Sequence, residues 1–188
     1  MDKKTLRTKM KKRRAEIRGL DNISRAIKRR VLSLPEMTEA KTVFCYVSFG
    51  TEVSTHELIN SLIHEGKRVC VPKTYQSGRM DAIETDSLSG MTKSDFGTME
   101  PEDGKIVEKT DIDIVIIPAL CYDKQGYRLG YGKGFYDRYL QDFRGVKLGI
   151  CPDECLVADA HHDAHDIKAD IIITQSGVYD PAKQRERT

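Results

Sequence analysis

The stretch from 42 to 72 constrains the fold more than any other. T-V-F-C-Y-V-S-F (42–49) is β-branched, aromatic and uncharged, the pattern of a strand buried on both faces. A loop, G-T-E-V-S-T, follows it. Ser54 and Glu57 then have capping-box spacing, Leu58, Leu62 and Ile63 recur at helical spacing, and Gly66 ends the run. R-V-C-V-P (68–72) is a second short strand. Strand, helix and strand within about thirty residues predict a right-handed crossover between parallel strands.

The rest of the chain extends that unit. D-I-D-I-V-I-I-P-A-L (111–120) is the strongest strand, apolar on both faces and therefore expected at the centre of the sheet. V-K-L-G-I-C (146–151) and D-I-I-I-T (170–174) are further strands, M-D-A-I-E a weaker one, and F-G-T-M-E-P-E-D-G a turn-rich loop. Two helices come first. Lys3 to about Arg18 has a thin apolar face of Leu6, Met10 and Ile17; Ile23, Ile27, Val31 and Leu34 mark a second helix, capped by Asp21 or Asn22 and stopped by Pro35. The expectation is one three-layer α/β/α domain over residues 1–188, with a mostly parallel central sheet, N-terminal helices and a loose tail, P-A-K-Q-R-E-R-T. Ligands of such sheets bind beyond the carboxyl ends of the strands.

Composition narrows the function classes. The 188 residues are 39% hydrophobic and 32% charged, enough for one core that folds alone. A net charge of +2 argues against a general polyanion binder, and the basic N-terminal run lacks the interleaved aromatics of an RNA-binding surface. No apolar run approaches the roughly 18 residues of a membrane span, and M-D-K-K-T-L-R is not a secretory leader, so a cytoplasmic protein with no membrane or nucleic-acid partner is expected. Five cysteines without C-x-x-C spacing read as reduced and structural. H-H-D-A-H-D (161–166) invites a zinc reading, but its order does not match a helical H-x-x-x-H site.

The segment from 126 to 137, G-Y-R-L-G-Y-G-K-G-F-Y-D, follows the central strand. It fails the dinucleotide pattern, because Phe135 stands where the third glycine is required, and fails the P-loop pattern at Tyr127 and Gly134. Its parts still suit a phosphate. Gly130, Gly132 and Gly134 allow close backbone approach, Arg128 and Lys133 add charge, and a helix from Phe135 to Phe143 would present its N-terminus. Asp137 can hold the magnesium of a nucleoside triphosphate. The bland alternative is an ordinary strand-to-helix turn with Tyr127, Tyr131 and Tyr136 packed as core and Asp137 favouring the helix start.

D-K-Q-G-Y-R-L-G-Y-G-K-G-F-Y-D-R-Y (123–139) closely resembles the glycine-rich motif of the 5-formyltetrahydrofolate cyclo-ligase (methenyltetrahydrofolate synthetase) family. K-K-T-L-R, Y-V-S-F-G-T-E-V-S-T, I-I-P-A-L-C-Y-D and H-D-I-K-A-D resemble further motifs of that family, in its order and over nearly the whole chain. The resemblance implies an enzyme that uses ATP and Mg2+ to convert 5-formyltetrahydrofolate, with or without a polyglutamate tail, to 5,10-methenyltetrahydrofolate, releasing ADP and phosphate. It implies nucleotide contacts from Lys3, Lys4, Thr5, Leu6 and Arg7 and from Arg128, Leu129, Gly130, Tyr131, Gly132, Lys133, Gly134, Phe135 and Tyr136. Folate contacts fall on Val47, Glu52 and the segment Tyr131 to Phe135, and metal contacts on Asp137 and Asp166. Arg128 and Lys133 are the implied catalytic cations, and a monomer is expected.

Many relatives carry Arg where this chain has Tyr131, so one cation is missing from that turn. A binding module without turnover is the competing class that this departure supports. Lys9, Lys11, Lys12, Arg13 and Arg14 have no counterpart role and read as a solvated face. Glu52 is suited to accept two parallel N–H bonds from a pterin.

Overall fold

The computed structural model describes residues 2–184. Three helices open it: α1 (Lys3–Glu16), α2 (Leu20–Leu32) and α3 (Pro35–Glu39). There follow β1 (Thr42–Cys45), α4 (His56–His64), β2 (Arg68–Thr74), β3 (Met80–Thr85), β4 (Thr92–Lys93), β5 (Met99–Glu100) and β6 (Ile114–Ile117). The remainder is β7 (Cys121–Asp123), β8 (Arg128–Leu129), α5 (Phe135–Tyr139), β9 (Val146–Ile150), β10 (Leu156–Val157), β11 (Ile171–Ile173), β12 (Val178–Tyr179) and α6 (Pro181–Gln184). Of the tail expected to be loose, 181–184 form α6 and 185–188 lie outside the described residues. No helix among the described residues is long and apolar enough to cross a membrane.

The large sheet has the order β12-β11-β9-β6-β1-β2-β3. β2, β1, β6, β9 and β11 run parallel, in registers such as Val43↔Val69 and Phe44↔Val115, while β3 and β12 close the edges antiparallel. β6 is the middle strand, and all four of its residues are buried. Alternation along the strands divides the core. Val43, Cys45, Ile114, Ile116, Leu148 and Ile173 pack with Ile27 and Val31 of α2, Met37 of α3, and Leu58, Ile59 and Leu62 of α4. Phe44, Cys70, Val115 and Ile117 face Tyr139 of α5 and Leu140 just beyond it on the other side. Leu6 and Met10 of α1 pack near the same outer layer against Leu120, Tyr122 and Ile172, where β10, β7 and β8 form a small second sheet. Each large apolar side chain so buried contributes about 1.5–3 kcal/mol.

Several local expectations change. Asp2 caps α1 by accepting the Thr5 N–H at 2.7 Å. α2 begins at Gly19, whose φ is 70°, and uses neither Asp21 nor Asn22 as its cap. Pro35, expected only to stop α2, lies in the first turn of α3, where its missing N–H costs nothing. The 54/57 capping box does not form: Ser54 N–H donates to Ser24 Oγ, and Glu57 pairs with Lys28 at 3.0 Å. Thr55 caps α4 without a side-chain bond, because its hydroxyl already donates to the Tyr46 carbonyl at 2.7 Å.

That last bond explains why β1 stops at Cys45 instead of reaching Phe49. Ser48 and Thr55 exchange amide-to-hydroxyl bonds of 3.0 and 2.9 Å, so the chain from Tyr46 to Thr55 is satisfied by its own loop and leaves the ladder. The order of the parallel strands reverses between β1, followed by β2, and β6, followed by β9. Here the crossovers leave on opposite faces and open a crevice at the carboxyl ends.

Candidate active site

A cavity of about 610 Å³ occupies that crevice. Tyr46, Val47, Phe49 and Glu52 enter it from the loop after β1, Pro118 from the end of β6, and Lys3 and Arg7 from α1. The segment from Arg128 to Asp137 forms one whole wall, Asp163 and Asp166 another, and Phe96 with Glu100 the side near β4 and β5.

The glycine wall is shaped by two left-handed residues. Gly132 has φ 97° and Gly134 φ 68°, conformations that L side chains rarely adopt. A Cβ on Gly132 would also lie 3.6 Å from the Arg7 guanidinium, whose Nε donates to the Gly130 carbonyl at 3.1 Å. Gly134 is the N-cap of α5, which spans Phe135 to Tyr139 and not the longer stretch to Phe143, because Asp142 turns the chain at φ 62°. The dipole of one short turn is small, so close amides and side-chain charge carry the attraction for an anion. Lys133 is exposed, with its ammonium 5.5 Å from the Phe96 ring centroid.

The carboxylates of this cavity are paired with cations. Arg128, only 6% exposed, donates from Nη2 to Asp137 Oδ1 and from Nη1 to the Ile167 carbonyl, each at 2.5 Å. Lys3 Nζ lies 2.6 Å from Oδ2 of both Asp163 and Asp166. Partial burial opposes ionisation of Asp166, but Lys3 and the Asp163 amide together hold its carboxyl below the ordinary aspartate value. Two carboxylates thus already converge on one positive group, an arrangement that suits a hard cation. No cluster of three or more His, Cys, Asp or Glu converges on a point among the described residues.

Beside Tyr131 of the glycine wall, Glu52 is 6% exposed. Its Oε2 accepts the Phe49 N–H at 3.1 Å and its Oε1 accepts the Tyr131 hydroxyl at 2.9 Å. Burial is the dominant influence and pushes the carboxyl up, while the Phe49 amide, the Tyr131 hydroxyl and the Arg14 charge pull it back. Arg14 is the surprise of α1. Expected to be solvated, it is 3% exposed, and its Nη1 donates to the Tyr131 hydroxyl at 2.9 Å. Its position was readable, since Leu6, Met10 and Arg14 share one face at four-residue spacing.

The family model for 5-formyltetrahydrofolate cyclo-ligases matches residues 1–175. The chain belongs to that family. The cyclo-ligase of Haemophilus influenzae is 32% identical over 145 residues, covering 74% of this chain and 78% of its own. That of Escherichia coli strain K12 is 30% identical over 158 residues, covering 80% and 87%. The NMR structure of Aquifex aeolicus 5,10-methenyltetrahydrofolate synthetase superposes with a TM-score of 0.85 at 30% identity, over 96% of this chain and 93% of that one. The Mycoplasma pneumoniae synthetase does so at 0.76 and 25%, over 93% and 99%.

Of the cyclo-ligase site residues named from sequence, Lys3, Arg7, Val47, Glu52, Arg128 to Asp137 and Asp166 all line this one cavity. Lys4 and Thr5 do not, both facing solvent, and the Leu6 side chain is committed to the core. His162 stacks on Tyr127 with centroids 3.4 Å apart, so the histidine-rich loop that carries Asp163 and Asp166 into the cavity packs against the start of the glycine segment. The five cysteines are buried and unpaired, and none lines the cavity. Sequence reasoning missed Arg14, Asp163 and the aromatic Phe49, whose ring centroid is 6.1 Å from that of Tyr131.

Proposed function

We propose that this chain converts 5-formyltetrahydrofolate to 5,10-methenyltetrahydrofolate, coupled to conversion of ATP to ADP and phosphate. The observation that carries the reading is the presence, in one cavity, of a buried acceptor, Glu52, and a glycine wall bearing Lys133 and flanked by Arg7. The first suits the N–H edge of a pterin, the second a triphosphate.

A formyl oxygen is a poor leaving group. Transfer of the γ-phosphoryl group to it forms a P–O bond and releases ADP. N10 then adds to the activated carbon, loses its proton, and the C–O bond breaks to give phosphate and the methenyl bridge. The chain's task is positioning and charge stabilisation. Gly132 and Gly134 let the backbone approach the phosphates, Lys133 and Arg7 offset charge that spreads over the phosphoryl oxygens, and Phe135 and Tyr131 shield the formyl group from water. Arg128 holds Asp137 in place. A bound magnesium ion would neutralise phosphate charge. Asp166 and Asp137 are the residues that would hold it, Asp137 through Oδ2, which takes no protein hydrogen bond among the described residues.

The reading is of a monomer, and buried free thiols fit a cytoplasmic location. The test is growth of methenyltetrahydrofolate absorbance from 5-formyltetrahydrofolate and MgATP. Binding of both ligands without product would leave a binding module.

A further inference from the structure

We propose that Arg14 is a positioning residue for substrate recognition: through the Tyr131 hydroxyl it holds the buried Glu52 carboxylate charged and aimed into the cavity. The proposal rests on the reading of Glu52 as the group that meets the folate.

The direction of each bond in the relay is fixed by chemistry. Arg14 can only donate, so the lone pair of the Tyr131 oxygen receives its Nη1 proton at 2.9 Å. The single phenol proton is then left for Glu52 Oε1, also at 2.9 Å. Each bond polarises the next, and the guanidinium charge reaches the carboxylate without touching it. Arg14 also donates from Nε to the carbonyl of Thr51, the residue before Glu52, at 3.1 Å, and from Nη1 to the Ala119 carbonyl beyond β6 at 3.2 Å. It therefore fixes the backbone on both sides of the crevice as well as the side chain within it.

The relay also counts lone pairs. Oε1 takes Tyr131 and Oε2 takes the Phe49 amide, which leaves one acceptor site on each oxygen. A ligand edge with two adjacent N–H donors, as in an amidine-like heterocycle, matches that pair, whereas an edge of acceptors is repelled.

Other groups facing Glu52 do not replace Arg14. Tyr46 at the end of β1 and Tyr136 of α5 are kept protonated by burial, well above the ordinary phenol value. Lys3 and Arg7 line the same cavity, but Arg14 is the cation whose charge favours the ionised form of Glu52 among the described residues.

The experiment follows the Glu52 carboxyl by carbon NMR, and initial rates against pH, in wild type, Arg14→Leu, Tyr131→Phe, the double variant and Arg14→Lys. Either single loss should lower the Glu52 ionisation constant about tenfold. The folate KM should rise by a similar factor with the ATP KM unchanged, and the acidic limb of kcat/KM for folate should move to higher pH. The double variant should be no worse than the poorer single, since the two residues act in series, and Arg14→Lys should recover part of the loss. An unshifted Glu52 titration in Tyr131→Phe, additive single effects, or folate and ATP KM rising together would overturn the proposal. If Arg14→Leu does not fold, Tyr131→Phe alone decides. A wild type that makes no product overturns the functional reading, while the Glu52 titration still decides the relay.

Discussion

The guanidinium of Arg128 lies 2.5 Å from the carboxylate of Asp137, nine residues along the same wall, and is itself almost wholly buried. The pair joins β8 to α5 across the glycine turn, so the turn's shape and its charge depend on one contact. Arg128→Met should cost about 1.5–3 kcal/mol in chemical denaturation, as a buried bond to a charged partner is lost. Turnover should fall together with stability.

Lys133 behaves oppositely. Its ammonium is exposed, so Lys133→Ala should stay within about 0.5 kcal/mol of wild type. On the proposed role of Lys133 in offsetting phosphoryl charge, its loss should reduce kcat about 10²–10³-fold. Equal losses of stability and turnover would instead mark Lys133 as structural.

The clasp of Lys3 on Asp163 and Asp166 gives a pH-dependent stability. The Asp166 carboxyl is held below its ordinary value, so its contribution is present above the unfolded aspartate value of about 3.9 and is lost as pH falls through the depressed folded value. Lys3 is opposed by burial but raised by the two aspartates, so its share persists below about 10.4 and disappears as pH rises through the elevated folded value. The urea midpoint of Asp166→Asn should fall below that of wild type between those limits, and the two should converge in acid.

Gly149 tests the fold itself. A Cβ there would sit 2.6 Å from the Tyr122 ring, whose hydroxyl is fixed on the Ile117 carbonyl at 2.6 Å. Gly149→Ala should destabilise by about 1–3 kcal/mol, measured by thermal or urea unfolding, because neither neighbour can retreat.

The central strand was legible because Ile114 to Ile117 is apolar on both faces, and only a position between two layers satisfies such a run. The crossover through α4 was equally plain. Local details were not. The residues after Cys45 are as β-prone as those before it, and only the side-chain bonds between Ser48 and Thr55 pull them from the sheet. Arg14 sits in a run of cations, where charge alone reads as solvent exposure; its spacing from Leu6 and Met10 shows the buried face, but not its partner, a tyrosine 117 residues away. Tyr131 looked like a lost cation. In the fold that turn receives a guanidinium after all, from α1.

The proposed mechanism turns on phosphorylation of the formyl oxygen, so that this oxygen leaves as phosphate and not as water. It is tested most directly by supplying MgATP and 5-formyltetrahydrofolate that carries a heavy-oxygen label in the formyl group, then analysing the products by mass spectrometry. The account predicts one labelled oxygen in each phosphate released, in step with methenyltetrahydrofolate. Labelled water with unlabelled phosphate would contradict it.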